Sequence, residues 1–381
     1  MKFLFACGGT AGHINPALAI AAELLRSDRE SDFLFVGAGR ELENRLIPSA
    51  GYKLVNIRMS GLKRGVSPAD LVYNLKTVRN LTAANKQAAK IIRGFEPDAV
   101  IGTGGYICYP VLRAASKMRI PGFIHESNAV PGLTTKLLNP YVDKVFVSFP
   151  GLEGSYRRPD KVIFTGTPVR EGFGAPVPES EGPEVVRKPL VLSFWGSLGA
   201  EHMNEVMEEF IKLNVERGLF DHIHVTGKGS DTGLTKILAE GSGVSGQLPP
   251  GIDIREYIDD MPSVMPVADI VMCRAGGSTI AELSAAGKPA VLIPSPYVTN
   301  NQQEENAKHV RMAGGAVVIH EKDCTGGMLF DVVSSILQDR EKLESMSSAQ
   351  KALRAPGAAS NIAGIVTQAC RRRRSDPGNK Q

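Results

Sequence analysis

Residues 2–20, KFLFACGGTAGHINPALAI, run from an apolar stretch through a glycine turn into a helical pattern. Lys2–Ala6 reads as a buried strand, Gly8–Gly12 breaks it, and Pro16–Leu25 carries apolar residues at helical spacing. Phe33–Val36 follows as a second strand. Strands alternating with helices predict a parallel sheet with helices on both faces. The same phrase returns three times. LVLSFW at 190–195 leads into Gly196-Ser197-Leu198-Gly199 and a helix from about Glu201. Ala99–Ile101 leads into Gly102-Thr103-Gly104-Gly105, a helix and the strand GFIHE at 122–126. Asp269–Met272 leads into Arg274-Ala275-Gly276-Gly277, a helix and the strand AVLIP at 290–294. Each half thus opens and closes on a strand–glycine loop–helix unit, which predicts an α/β protein of two Rossmann-like doubly wound domains facing one another. Gly172–Lys188, rich in Pro, Gly and Glu, reads as a linker or edge loop, and the basic tail Arg371–Gln381 as frayed.

A chain of 381 residues exceeds one ordinary core, and 43% hydrophobic with 22% charged residues is a globular composition. The net charge of +4 and an aromatic content of 6% with one Trp argue against a nucleic-acid partner and its base-stacking platform. The five cysteines, Cys7, Cys108, Cys273, Cys324 and Cys370, include no C-x-x-C pair, so thiols in a reducing compartment are expected. The apolar N-terminus is stopped by Gly8 and Gly9 and reads as a strand rather than a signal peptide, and no apolar run is long enough to span a membrane. One helix stands apart. Ser67-Pro68-Ala69-Asp70 supplies its start, Gly94 and Pro97 its end, and Lys76, Arg79, Lys86, Lys90 and Arg93 a basic face without an acid between Leu71 and Arg93. On the residues alone this is a core helix with a solvated basic side; a face for anionic lipid is the sharper alternative.

The chemistry sits at the strand ends. Glycines in Cys7–His13 let backbone N–H groups approach a phosphate at a helix start, or simply make a tight turn. The loop is not G-x-G-x-x-G, and the strand ending Val36-Gly37 lacks the acid that holds a ribose, which disfavours a nicotinamide enzyme. His13, at the mouth of the turn, fits either a structural role or that of a base taking a hydroxyl proton. His125-Glu126-Ser127-Asn128 ends a strand, either as ligand groups or as a capped turn. In Arg274–Glu282, small residues open a helix suited to phosphate. Glu282 lies one and a half turns in, placed either for both hydroxyls of a ribose or for a buried salt bridge. Asn300, Asn301, Gln302, Gln303 and Asn306 offer amides suited to sugar hydroxyls, or form a solvated loop. No D-x-D or H-x-x-x-H spacing calls for a metal, and no cofactor is expected.

Taken in order, GGTAGHINPALA (8–19), GTGGYICYP (102–110), IHESNAVPG (124–132), GTPVR (166–170), GSLGA (196–200), YIDDM (257–261), RAGGSTIAEL (274–283) and NNQQEENA (300–307) closely resemble the MurG family, the bacterial UDP-N-acetylglucosamine:lipid I N-acetylglucosaminyltransferases of peptidoglycan synthesis. The resemblance covers about residues 2–310. It implies the GT-B fold: an acceptor- and membrane-facing domain over 1–168, a UDP-GlcNAc domain over 169–357, a deep cleft, and a last helix of about 358–381 returning to the first domain. It implies inverting transfer of GlcNAc to the MurNAc 4-hydroxyl of undecaprenyl-pyrophosphoryl-MurNAc-pentapeptide, lipid I, giving lipid II. Carried over, Ile258 meets the uracil, Glu282 the ribose, and Gly277, Ser278, Thr279 and Ser197 the diphosphate, with Ile280 and Ala281 beside them. Arg170 and Gln303 also contact the donor, and Thr10, Ala11, Gly12 and Asn128 reach its sugar. Gly8, Gly9, Gly104 and Gly105 face the acceptor diphosphate. His13 is the expected base and Glu126 the second candidate. Ala11 stands for the family's usual Gly, Ser127 for its Gln and Gln302 for its His. The implied partners are UDP-GlcNAc, lipid I, an anionic membrane surface on the cytoplasmic face and the cell-wall and division machinery. The rival readings are a UDP-GlcNAc 2-epimerase and a non-enzymatic nucleotide-sugar sensor.

Overall fold

The computed structural model describes residues 1–57, 59, 68–174, 187–229, 233 and 248–375, without the side chains of 68–80 and 299. Most of the expected linker, the end of the tail from 376, and the side chains of Lys76 and Arg79 therefore lie outside the described residues. The chain divides into a first unit, Met1–Arg170 with Ala355–Gln381, and a second, Glu171–Arg354.

The first unit carries β1 (Lys2–Cys7), β2 (Asp32–Gly37), β3 (Lys53–Asn56), β4 (Ala99–Gly104), β5 (Gly122–Glu126), β6 (Lys144–Val147) and β7 (Val162–Phe164) in one parallel sheet of order β3-β2-β1-β4-β5-β6-β7. Both faces are covered, and the alternation along β1 shows it. Phe3, Phe5 and Cys7 join Ile14, Ile20 and Leu24 of helix Ala11–Ser27, while Leu4 and Ala6 join Ala84, Ala88 and Ile92 of helix Pro68–Phe95 on the other side. Helix Ala11–Ser27 begins five residues before the apolar periodicity does, directly at the glycine turn. Pro16 is the sixth residue of this helix, inside it, and removes one N–H from its hydrogen-bond ladder.

Helix Ala358–Ser375 packs Ile362, Ala363, Val366 and Cys370 into the core of the first unit. It also corrects the expectation of a tail frayed from Arg371. Arg371–Arg374 are helical, because cations suit a helix C-terminus and Arg374 Nη2 pairs with Asp98 at 2.7 Å.

The second unit carries β8 (Leu190–Phe194), β9 (Asp221–Val225), β10 (Ile252–Arg255), β11 (Ile270–Cys273), β12 (Ala290–Leu292) and β13 (Ala316–Val318), again parallel, in the order β10-β9-β8-β11-β12-β13. Helices Glu201–Arg217 and Gly326–Gln338 cover one face through Met203, Met207, Phe210, Leu329 and Val333.

One polar cluster lies inside this core. Ser193 Oγ is 2.8 Å from His222 Nε2 and 2.7 Å from His224 Nδ1, and all three residues are fully buried. The single hydroxyl proton serves one imidazole, so the other donates to the oxygen. Burial holds His222 well below the usual imidazole range and pushes His224 down to about 3. The unfolded chain takes up protons on both as pH falls through about 6.5, whereas the folded unit refuses them. Their stabilising effect is therefore complete above about pH 6.5 and lost below it, by about 2 kcal/mol per imidazole at pH 5. Urea unfolding followed by fluorescence of Trp195, the only tryptophan, should show a lower midpoint at pH 5 than at pH 7. An unchanged midpoint contradicts burial of both rings as neutral bases.

Candidate active site

In each sheet the strand order reverses at one place, between β1 and β4 in the first unit and between β8 and β11 in the second. Adjacent strand ends at such a reversal send their connections to opposite faces and leave a crevice for ligands. The four glycine loops expected from the sequence are the connections at these two places: 8–10 and 105–107 after β1 and β4, 195–200 and 274–276 after β8 and β11.

In the first unit β4 runs on through Gly104, three residues beyond its expected end. The register passes from Ala6↔Gly102 to Cys7↔Gly104, so Thr103 is left over as a bulge. Its hydroxyl donates to the His13 carbonyl at 2.7 Å, fixing the first turn of helix Ala11–Ser27 to β4. His13 Nδ1 lies 2.8 Å from the carbonyl oxygen of Gly8. A carbonyl only accepts, so Nδ1 carries the hydrogen and Nε2 of the neutral ring keeps its lone pair. The ring lies against Gly104, whose φ is +126° and where an added Cβ would sit 2.7 Å from Nε2.

Glu126 ends β5, buried. Its carboxylate accepts from the backbone and side-chain nitrogens of Asn128, both at 3.1 Å, and from Gly132 N and Thr135 Oγ1, both at 2.8 Å. It holds the loop that presents Asn128. His125 is buried, 3.2 Å from the Gly166 carbonyl, and burial pushes its pKa down to about 4. Gly9 departs from expectation. Its N–H, expected to meet a phosphate, is directed at Glu43 Oε1 at 2.8 Å, and Glu43 belongs to none of the sequence motifs. Cys7 and Cys108 are buried thiols raised by that burial, Cys108 to about 12.

In the second unit helix Gly277–Ala286 begins directly after Gly276, and Gly277, Ser278, Thr279, Ile280, Ala281 and Glu282 form its first turns. Ser278 and Glu282 are buried, as is Ile258 beyond β10. The loop before the helix is braced from below. Arg274 Nη1 pairs with Glu321 at 2.7 Å, and both side chains are less than a tenth exposed. The same guanidinium donates to the Ile293 carbonyl at 3.2 Å and lies 6.0 Å from the Trp195 ring centre. Asn306, read with the neighbouring amides as a sugar ligand, is fully buried instead, and its NH2 donates to the Ala275 carbonyl at 3.0 Å. Gln303 Oε1 accepts from Ser295 N at 2.8 Å, next to Asn300 and Asn301, which take left-handed φ of 51° and 49°. Ser197 lies in the turn after β8, and Arg170 is the residue with which the first unit ends before the chain crosses. Among the described residues no three His, Cys, Asp or Glu side chains cluster as a metal centre would need.

Residues 3–147 match the glycosyltransferase family 28 N-terminal domain and residues 190–362 the glycosyltransferase family 28 C-terminal domain. The chain is 40% identical over 378 residues to the UDP-N-acetylglucosamine–N-acetylmuramyl-(pentapeptide) pyrophosphoryl-undecaprenol N-acetylglucosamine transferase of Acetivibrio thermocellus, covering 96% of this chain and 97% of that one. It is 43% identical over 359 residues to the enzyme of the same name from Caldanaerobacter subterraneus, covering 91% and 96%. Among solved structures, Acinetobacter baumannii MurG aligns with a TM-score of 0.68 at 24% identity over 97% of this chain and all of that one. A UDP-GlcNAc 2-epimerase from Neisseria meningitidis aligns at 0.65 and 14% identity, over 97% of this chain and all of that one. At those identities the structures speak for the fold alone.

Because a side chain at Gly104 would be strained and would push on the His13 ring, Gly104→Ala should cost about 2 kcal/mol, measured by urea unfolding with circular dichroism. Gly94→Ala, in the last turn of helix Pro68–Phe95 with open space around it, should be neutral or stabilising by about 0.5–1 kcal/mol. Equal responses at the two glycines contradict the close approach at Gly104.

Proposed function

This chain belongs to glycosyltransferase family 28, and from that premise we propose that it transfers GlcNAc from UDP-GlcNAc to the MurNAc 4-hydroxyl of lipid I, with inversion, giving lipid II for peptidoglycan. The observation that carries the reading is the pairing of two different strand-order reversals in one chain. One holds an imidazole of set tautomer between glycine loops, and the other a buried carboxylate one and a half turns into a glycine-opened helix.

In the proposed mechanism His13 Nε2 takes the acceptor hydroxyl proton. The oxygen forms its bond to the anomeric carbon as the bond from that carbon to the diphosphate oxygen breaks, and the electron pair leaves with UDP. The N–H groups opening helix Gly277–Ala286, with Ser197 and Arg170, stabilise the departing charge. Glu282 accepts from the ribose hydroxyls and Ile258 packs on the uracil. Gly8, Gly104 and Gly105 line the acceptor diphosphate beside the helix start at Ala11. Gly12 and Asn128 belong to the sugar subsite. Glu126 supports Asn128 rather than serving as base, since four donors already use its oxygens. The epimerase reading needs carboxylates around the sugar ring, and the one in the first unit's motifs is committed in this way. A sensor without a base leaves the fixed His13 tautomer unexplained.

Lipid I carries an undecaprenyl chain, so the enzyme is proposed to work at the cytoplasmic face of the membrane as a peripheral protein. Among the described residues no helix is long and apolar enough to cross a membrane. Along helix Pro68–Phe95, Lys86, Lys90 and Arg93 are exposed while Ala84, Ala88 and Ile92 are buried, as an anchored helix with a basic outer face requires. Helix Cys108–Lys117 packs against it and against helix Leu133–Leu138, where Leu133 and Leu137 are exposed beside Lys136.

Incubation with UDP-GlcNAc and a lipid I analogue should release UDP and label the analogue, equally with and without chelator. Formation of UDP-ManNAc from UDP-GlcNAc alone would instead establish the epimerase. His13→Ala should lower kcat by about 100-fold or more at nearly constant KM for UDP-GlcNAc. Glu282→Ala should raise that KM by about 10-fold or more. Co-sedimentation with anionic vesicles should fall with salt and on reversing Lys86, Lys90 and Arg93 to Glu; binding indifferent to both rejects this surface.

A further inference from the structure

Glu43 lies in the first turn of helix Glu41–Ser49, which follows β2, and is completely buried. A buried carboxylate is costly unless its oxygens are satisfied. Here backbone N–H groups satisfy them: Oε2 accepts from Ala38, Gly39 and Arg40 at 2.6, 2.9 and 3.2 Å, and Oε1 accepts from Gly9 at 2.8 Å. The first three close the loop after β2 and cap the helix, which is ordinary. The fourth reaches across to the loop after β1. Both strand ends make room for it, since a Cβ at Gly8 would stand 2.5 Å from Oε1 and one at Gly37 2.6 Å from Oε2.

The residue so tethered is the neighbour of the group that orients His13. Gly8 offers its carbonyl to His13 Nδ1, and the peptide from Gly8 to Gly9 carries that carbonyl at one end and the Glu43-bound N–H at the other. Since a peptide is planar, fixing the N–H fixes the direction of the C=O. We propose that Glu43 is a positioning residue for catalysis: by holding the Gly8–Gly9 peptide it aims the Gly8 carbonyl at His13 Nδ1 and thereby keeps Nε2 as the basic nitrogen. The same carboxylate occupies the Gly9 amide and repels phosphate there, so an anion at this loop is met by the helix start and not by Gly9. The proposal deepens the assignment of His13 as base and rests on it.

Two variants separate the local cap from the tether. Glu43→Gln replaces one acceptor oxygen by a donor. Glu43→Asp keeps the charge and the cap of the 38–40 loop but falls short of Gly9. Each is measured for GlcNAc transfer to the lipid I analogue and, in 15N-histidine protein, for the His13 ring tautomer. Both variants should lose 10-fold or more in kcat with KM for UDP-GlcNAc within 2-fold, and the His13 signal should change from pure Nδ1–H to a mixture. In the His13→Ala background Glu43→Gln should cost less than 2-fold, because its effect passes through the imidazole. If His13→Ala itself costs little, the base assignment fails. If His13→Ala is severe but the Glu43 variants keep kcat and tautomer, or cost as much without His13, the positioning role is overturned. Failure of both variants to fold overturns it too, since Glu43 would then be needed by the domain rather than by the imidazole.

Discussion

The directional constraint of a parallel sheet underlies everything in this protein. Within each sheet all strands point the same way, so the strand-to-helix turns of that unit lie on one edge of it, and where its strand order reverses two such turns stand side by side with no helix between them. Polar side chains and N–H groups can remain unsatisfied by secondary structure only at such an edge without being buried in the core. Each unit places two of its glycine loops there. The apolar strands behind are buried in the cores on which these turns stand.

The two edges are braced by opposite charges. In the first unit a carboxylate, Glu43, gathers backbone N–H groups beneath the loop that carries His13. In the second a guanidinium, Arg274, pairs with Glu321 beneath the loop that opens helix Gly277–Ala286, and Asn306 ties that loop from the side. The first arrangement withdraws an amide from anion binding and favours a lone pair on His13. The second leaves the bracing cation beneath the helix N-terminus neutralised by Glu321. The base and the leaving-group site proposed above call for this difference.

Much of this was legible in the sequence because it follows from local pattern. The recurrence of apolar run, glycines and helix gave the alternation, and Glu282 could be placed by helical spacing alone. What escaped depends on contacts distant in the chain. Glu43 in ELENRL looks like any charged residue near a helix start; the only signal was its place three residues after Arg40, with Gly37 and Gly39 just before. Asn306 shares its composition with exposed neighbours, and only helix phase shows that it faces the Ala275 carbonyl. His222 and His224 alternate with apolar residues as a half-solvated strand would, yet the helices above bury them. The bulge at Thr103 and the helical state of Arg371–Arg374 likewise arise from partners, His13 and Asp98, nearly one hundred or more positions away.

The central claim is that the second unit grips a nucleoside diphosphate while the first supplies the base, and the most direct measurement is a crystal structure of the protein soaked with UDP. The account predicts phosphate oxygens against the N–H groups of Gly277–Thr279 and both ribose hydroxyls on the Glu282 carboxylate, with His13 Nδ1 still on Gly8. Nucleotide bound elsewhere, or a ribose that ignores Glu282, would contradict it.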